Sequence, residues 1–297
     1  MDIVIETHDL TKRFGGKTVV DRLNLEVPKG AIFALLGDNG AGKTTTIRML
    51  TGLLPADAGW AKIAGQDCWT AASKLRSRVG YVPERPRYYD WMTVAEIGWF
   101  TAGFHGKQYL PRFNEWADKL VLDLKARLGN LSKGQYAKVG LALALALDPE
   151  VLILDEPTSG LDLLVRHEFL GSMVGLAAEG RTILISSHQI AEVERVASYV
   201  GFISQGKLLL VASMEDLKKR IVRLKLRWES QPPDAATFGR VLQRNGSGKQ
   251  WQAVLQDPLE EALGALPHAE GIFDVEVDSL HLEEIYCALL ARTEEKR

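Results

Sequence analysis

The sequence predicts an α/β protein in two parts, a mostly parallel sheet with flanking helices followed by a small α+β unit. Three observations predict it. Short apolar strands alternate with helical patterns over residues 23–197, the order that a parallel sheet covered by helices produces. After Tyr199 the style changes to short alternating strands separated by turn residues. The 297 residues amount to about two domains. Their 46% hydrophobic and 25% charged content is that of an ordinary globular core. A chain of this length buries roughly three quarters of the surface it exposes when unfolded. A disulfide scaffold, a collagen-like chain and a mostly disordered one are therefore excluded.

The elements follow in order. Leu23, Leu25 and Val27 alternate with Asn24 and Glu26, the period of a half-buried strand. Residues 31–36 are a short apolar run ending in glycine, as expected of a buried parallel strand. Residues 44–54 read as a helix. Thr93 and Glu96 make a capping box that opens a helix to Phe104. Residues 135–147 form a helix closed by Asp148-Pro149, and 151–154 a buried strand. Residues 162–178 are an amphipathic helix, 182–185 a strand and 190–197 a helix. Residues 199–211 read as a hairpin about Gln205-Gly206. Ser213 with Asp216 caps a short helix, and the alternation of Val222, Leu224, Leu226 and Trp228 begins the smaller unit. A Pro232-Pro233 loop and an Asn245-Gly246 turn follow. Residues 250–255 and 272–277 are strand-like. Residues 259–266 are helical, with Asp257 as N-cap and Pro258 at the first position. Residues 280–290 are helical, with Leu282, Ile285, Tyr286 and Leu289 on one core-facing stripe. The boundary is expected near Arg220, giving domains 1–220 and 221–297.

Thirty-six basic against thirty-eight acidic residues leave a net charge of −2, so no global field draws the chain to nucleic acid or an anionic membrane. Lys218, Lys219, Arg220, Arg223, Lys225 and Arg227 form a local basic stretch, and its alternation with apolar residues favours a solvated strand face. Cys68 and Cys287 lack metal-ligand spacing and are expected as free thiols. The first ten residues have no basic n-region or apolar core and are not expected to be a signal peptide. The longest apolar stretch, 139–147, is far short of the roughly 20 residues that span a bilayer. Work at a membrane would need a second chain.

Two motifs carry chemistry. Gly37-Asp38-Asn39-Gly40-Ala41-Gly42-Lys43-Thr44, continued by Thr45, fits G-x-x-x-x-G-K-[ST] between a buried strand and a helix. Glycines let the backbone curl so that several N–H groups face one anion, and the following helix aims its positive end at the phosphates. Lys43 is expected to reach the β- and γ-phosphates of a nucleotide and Thr44 to ligate Mg²⁺. The apolar strand 151–154 ends in Asp155 and Glu156. Asp155 is placed for the Mg²⁺ shell and Glu156 to polarise an attacking water.

Between these motifs lies Leu131-Ser132-Lys133-Gly134-Gln135, which resembles the LSGGQ signature of ATP-binding-cassette (ABC) ATPases. The resemblance covers residues 3–211. Phe14 stands where the family stacks an aromatic on adenine, and Glu84 where it has the Q-loop glutamine. Ser159-Gly160-Leu161-Asp162 looks like the D-loop, and His188 like the switch histidine contacting the γ-phosphate. The resemblance implies a nucleotide-binding core with an antiparallel β part and a helical subdomain at about 85–147. It also implies a head-to-tail homodimer or heterodimer closing over two ATPs, with Lys43 of one subunit facing Ser132 and Gly134 of the other. Glu84 is expected at the cation and among the catalytic groups with Glu156, His188 and Lys43. Gln135 and Asp162 are expected beside the nucleotide. The chain departs from the family at two positions. Lys133 replaces a glycine and is expected to point to solvent. Glu84 accepts hydrogen bonds but cannot donate them as a glutamine does, which reads as a tuned site.

Tyr88, Tyr89, Trp91, Trp99, Phe100 and Phe104 cluster just beyond Glu84. In the family this region receives a helix of a separate transmembrane permease subunit. Tyr88, Tyr89 and Trp91 are expected at that socket; Trp99 and Phe104 suit socket or helical core equally. The resemblance thus points to an ATPase subunit powering a membrane transporter from the inner, cytoplasmic face. The terminal helix tilts the reading toward export. A soluble ABC ATPase acting on DNA or ribosomes is the alternative. Residues 45–130 hold no long coiled coil and only one cassette is present, so no direct nucleic-acid partner is expected.

Overall fold

The computed structural model describes residues 2–229, 233–269 and 271–295. The chain divides into two compact units, Met1–Val211 and Ala212–Arg297.

The first unit contains β1 (Ile3–Phe14), β2 (Lys17–Leu23), β3 (Glu26–Pro28), β4 (Ile32–Leu36), α1 (Lys43–Leu50), β5 (Ala58–Ile63), β6 (Gln66–Asp67), α2 (Ala72–Leu75) and β7 (Val79–Val82). It continues with α3 (Val94–Ala102), α4 (Tyr109–Lys119), α5 (Lys133–Leu145), β8 (Val151–Asp155), α6 (Leu163–Ala178), β9 (Thr182–Ser187), α7 (Ile190–Val193), β10 (Tyr199–Ser204) and β11 (Lys207–Ser213), whose last two residues already belong to the second unit. An antiparallel sheet runs β2-β1-β5-β6, with β3 also paired to β1. The main sheet runs β11-β10-β4-β9-β8-β7 and is parallel from β10 to β7.

Strands β4, β8 and β9 are buried along their whole length because both faces of the sheet are covered. Alternate residues enter different cores. Phe33, Leu35, Val151, Ile153 and Leu184 pack with α1 and the antiparallel sheet. Ile32, Leu152, Leu154, Ile183 and Ile185 pack with Leu141, Phe169 and Met173 of α5 and α6. A third cluster gathers Val94, Ile97, Phe113, Ala117 and Val139 from α3, α4 and α5. The capping box is formed: Thr93 Oγ1 accepts from the Glu96 amide, and Glu96 accepts from the Thr93 amide at 2.7 Å.

Several boundaries differ from expectation. The strand expected through residues 23–27 breaks between β2 and β3, although Leu23, Leu25 and Val27 are buried and Asn24 and Glu26 exposed. Helix α1 stops at Leu50, because Gly52 turns the chain at φ 66°. Helix α3 ends at Ala102 and α7 at Val193, both earlier than expected.

The second unit contains α8 (Met214–Arg220), β12 (Ile221–Trp228), β13 (Arg240–Ser247), β14 (Gln250–Gln256), α9 (Glu260–Ala265), β15 (Ile272–Ser279) and α10 (Leu282–Glu295). The antiparallel order β13-β14-β12-β15 is that of the ferredoxin-like split βαβ, with a 3-10 turn, Ala235–Phe238, replacing the first helix. The division falls before Arg220. Ser213 caps α8 and Leu217 is fully buried, while Arg220 Nε donates to Asp257 at 2.8 Å inside this unit. That contact also corrects the expected cap. Asp257 holds Arg220 at φ 51°, and α9 begins beyond Leu259. The hairpin turn lies at Gly248-Lys249, since Asn245 and Gly246 stay in register with Gln252 and Trp251. Pro232 lies outside the described residues, and Pro233 is in irregular chain.

The basic stretch is a solvated strand face only at Arg223, Lys225 and Arg227, on β12; Lys218, Lys219 and Arg220 end helix α8 instead. Lys225 pairs with Glu276 and Asp278, Arg227 with Asp274, and Arg223 with Glu284. Leu282, Ile285, Tyr286 and Leu289 are buried, as their stripe predicted.

Candidate functional site

The phosphate loop follows from the buried strand that feeds it. A side chain at Gly37 would place its Cβ 2.2 Å from the Ile203 carbonyl oxygen, so only glycine lets β4 turn there. Gly42 takes φ 111°, a left-handed value costly for other residues. Helix α1 has no side-chain N-cap, so its first amides are left for an anion. The loop is braced by a turn that is itself anchored to β2. The β10–β11 turn at Gln205 and Gly206 has positive φ at both residues, as a type I′ hairpin requires. The Gly206 amide donates to the Ala41 carbonyl at 2.9 Å, and the Gly206 carbonyl accepts from the Asp21 amide at 2.9 Å.

Strand β8 delivers the carboxylates beside this loop. Thr44 Oγ1 donates to Asp155 Oδ1 at 3.0 Å, and Ser186 Oγ donates to the same oxygen at 2.7 Å. Ser186 Oγ also accepts from the Glu156 amide at 3.0 Å. Burial pushes the Asp155 carboxyl above its ordinary range. The hydrogen bonds from Ser186 and Thr44 oppose the shift, and the Glu156 and Glu84 carboxylates add to it. Glu156 sits at φ 48°, a backbone position that costs about 1–3 kcal/mol for a side-chain-bearing residue. Lys43 Nζ donates to the Gly37 and Asp38 carbonyls at 2.6 and 3.1 Å. The same ammonium lies 3.1 Å from Glu156 Oε1, an ion pair not aligned as a hydrogen bond. His188 Nδ1 is 2.7 Å from Glu156 Oε2, and its amide donates to the same oxygen at 3.3 Å.

A cleft of about 480 Å³ brings together Asn39, Gly40, Gly42, Lys43, Thr44, Thr45, Glu84, Glu156 and His188. Asp155 stands at its floor through Thr44. Glu84 is exposed on the wall, with Arg85 Nε 3.4 Å from its carboxylate. Phe14 does not line the cleft. It ends β1 half-exposed, with Lys12 Nζ 5.6 Å from its ring centre.

Ser132, Gly134, Gln135 and Asp162 do not line the cleft either. Ser132 and Gln135 form a reciprocal capping box on α5, and Asp162 caps α6 through the Val165 amide at 3.0 Å. Gly134 is needed where α5 meets α6, since a Cβ there would lie 2.5 Å from Val165. Lys133 is exposed, but its ammonium folds over Gly160.

The sequence reading missed Val19 and Arg85, which line the cleft, and above all Ser186. It was legible only as the first serine of Ser186-Ser187-His188, with nothing in the pattern to show that it bridges both acids. The aromatic cluster also needs correction. Tyr88 packs into the helical core against Tyr136, whose hydroxyl accepts from its amide at 2.9 Å, and burial raises its phenol. Tyr89, Trp91, Trp99, Phe100 and Phe104 are exposed, and edge contacts at 5.5–6.3 Å join Tyr89, Phe100 and Phe104. Trp99 and Phe104, 69% and 74% exposed, are not core.

Comparison with known proteins agrees with this geometry. The family described as ABC transporter matches residues 20–159. The bacitracin transport ATP-binding protein of Bacillus licheniformis is 40% identical over 224 residues, covering 74% of this chain and 73% of its own. The Nod factor export ATP-binding protein I of Paraburkholderia xenovorans is 39% identical, covering 69% of each. A solved ATP-binding subunit of an ABC transporter is 30% identical and superposes with a TM-score of 0.65, over 73% of this chain and 92% of that one. A dimeric cassette bound to ADP and Pi, 20% identical, shares the fold with a TM-score of 0.64 over 71% of this chain and 98% of its own. A loop built for phosphates, two acids at the end of the neighbouring strand and relatives of this similarity lead to one conclusion: the chain belongs to the ABC transporter ATP-binding subunits and is an ATP-hydrolysing member of that family.

Proposed function

We propose that this chain is the motor of an exporter, and that two copies, or this chain and a related one, close head to tail over two ATP molecules. The observation that carries the reading is the division of the family's motifs. Lys43, Thr44, Glu156 and His188 line one cleft, with Asp155 bonded to Thr44 behind it, while Ser132 and Gly134 belong to a helix start that lines no part of it. A second chain supplies the missing wall. ATP joins the subunits, and its cleavage lets them part.

Within one cleft the α1 amides and Lys43 bind the β- and γ-phosphates. Lys43 turns from Glu156 toward the triphosphate, which frees the carboxylate. Glu156 then takes a proton from the attacking water, and His188 fixes its second oxygen and faces the γ-phosphate. Glu84 stands beside the same phosphates, and Phe14 stacks on adenine. Thr44 Oγ1 and Asp155 Oδ1, 3.0 Å apart, fit a hard cation that takes few protein oxygens and completes its shell with phosphate and water. A crowded, buried carboxylate such as Asp155 is stabilised by that charge. Mg²⁺, when bound there with Glu84 nearby, neutralises phosphate oxygens.

The exposed patch about Tyr89, Trp91, Trp99, Phe100 and Phe104 suits a socket for a permease helix, since aromatic anchors dominate such contacts. Among the described residues no helix is long and apolar enough to cross a membrane, so a separate transmembrane permease subunit carries cargo and the chain works at the inner face. Export is inferred from relatives named for bacitracin transport and Nod factor export. Glu156→Gln tests the reading. The variant is expected to form an ATP-dependent dimer without turnover, and a wild-type ATPase rate would refute the role of Glu156.

A further inference from the structure

We propose that Arg166 and Glu192 are positioning residues that tie the loop of Ser159, Gly160, Leu161 and Asp162 to the His188–Glu156 contact. The inference rests on the catalytic reading of Glu156 and His188 given above. The contacts form a closed circuit. Beyond Glu156 the chain turns tightly, with the Ser159 amide donating to the Glu156 carbonyl at 3.1 Å and the Leu161 amide to the Thr158 carbonyl at 3.2 Å. One guanidinium nitrogen of Arg166 on α6 reaches back to the Leu161 carbonyl at 2.7 Å. Another pairs with Glu192 Oε1 on α7. Helix α7 begins at Ile190, directly after His188 and Gln189, and His188 returns to Glu156 at 2.7 Å. A second link joins Arg195, two residues beyond α7, to His167 of α6 at 2.9 Å. Arg166 therefore stands at the only point of this circuit where one side chain grips both the loop and the helix that follows His188.

The pair is largely shielded, with side chains 18% and 20% exposed, so its charges interact more strongly than surface charges do. It is also incompletely bonded. Arg166 Nε and Glu192 Oε2 are both buried and have no hydrogen-bond partner among the described residues. A shift of α7 against α6 changes this ion pair, and the same shift moves His188 relative to Glu156. Movement of the loop is thereby transmitted to the group that holds the catalytic carboxylate. The loop lies outside the wall formed by the phosphate loop except at Ser159, so Arg166 and Glu192 act on turnover without touching nucleotide.

The experiment compares Arg166→Met, Glu192→Gln and the double variant of the full chain with wild type. It measures ATPase kcat and KM, binding of a fluorescent ATP analogue, and Tm. Each single variant is expected to lose roughly tenfold in kcat, the scale of coupling through such a network. KM and analogue affinity should stay within about twofold. Because the two residues act as one link, the double variant should fall no further than the worse single. Glu192→Gln is nearly isosteric and keeps the test informative if Arg166→Met is unstable. Losses that multiply in the double variant, a rise in KM with kcat unchanged, or wild-type kcat in both singles would overturn the inference. Glu156→Gln, run alongside, separates the two levels. If it turns ATP over normally, the catalytic reading fails and takes this inference with it. If it is inactive while both singles are normal, only the positioning role fails.

Discussion

Ser186→Ala tests the arrangement of the two acids more directly than a change in either acid. The hydroxyl is fully buried, donates to Asp155 at 2.7 Å and accepts from the Glu156 amide at 3.0 Å. Removing a hydrogen bond to a carboxylate costs about 1.5–3 kcal/mol, and a neutral one about 0.5–1.5 kcal/mol. The second loss falls at the low end, because the Glu156 amide also donates to the Ser186 carbonyl at 3.2 Å. The expected destabilisation is therefore about 2–3.5 kcal/mol, which for a unit of this size lowers Tm by roughly 4–14 °C. Asp155 loses one of the two hydrogen bonds that hold its carboxyl down, so its proton affinity rises further. ATPase kcat/KM should drop about 10–100-fold, the range for partners that orient ligand carboxylates. Ser187→Ala is the control. Among the described residues Ser187 Oγ accepts from the Gln189 amide alone, at 3.0 Å, and its loss should cost about 1 kcal/mol. Calorimetry and steady-state ATPase assays read both quantities. Ser186→Ala with unchanged Tm and ATPase would refute the bridging role.

Three further outcomes are expected. Gly98→Ala puts a Cβ 2.2 Å from the Phe113 ring and should lower stability by about 1–3 kcal/mol in urea melts, whereas Gly106→Ala meets nothing within 4 Å and should not; equal stability of the two would refute the packing argument. Iodoacetamide should label exposed Cys287 and spare buried Cys68, whose thiol burial pushes up to about 12; peptide mass spectrometry giving equal labelling would refute it. Trp91→Ala with Trp99→Ala should leave nucleotide affinity unchanged and shift stability by no more than about 0.5 kcal/mol each, while weakening co-purification with the membrane subunit; undiminished co-purification would remove these residues from the socket.

The central strands and the phosphate loop were legible because each is set by local chemistry. Residues 31–36 and 151–154 are apolar on both faces, and the glycines of the loop occupy backbone positions that few other residues tolerate. What escaped was decided by partners distant in sequence. Asp257 reads as a helix cap until Arg220 is seen to hold it. Asn245-Gly246 reads as a turn until β14 is seen to pair with it in register. Strands β5, β6 and β7 were not read from the sequence, and neither was α4, whose Pro111 is tolerated because it lies in the first turn. At the site, the nucleotide cleft was readable from motifs, but Ser186 was not, since its role exists only once β8 and β9 lie side by side. Tyr88 was misplaced for a similar reason, because its burial depends on Tyr136 of α5.

The bracing of the phosphate loop has a consequence for how the protein is made. Its curvature near residue 40 depends on a turn at residue 206, and its strand β4 lies between β9 and β10. A ribosome releases these supports long after the loop itself. A nascent chain that has emerged only as far as the acids at 155 and 156 possesses every phosphate-loop residue and still lacks the brace that shapes them. Affinity for nucleotide should therefore arrive late and abruptly during translation, and a fragment cut short before the β10–β11 turn would be a sequence with the motif but without its grip.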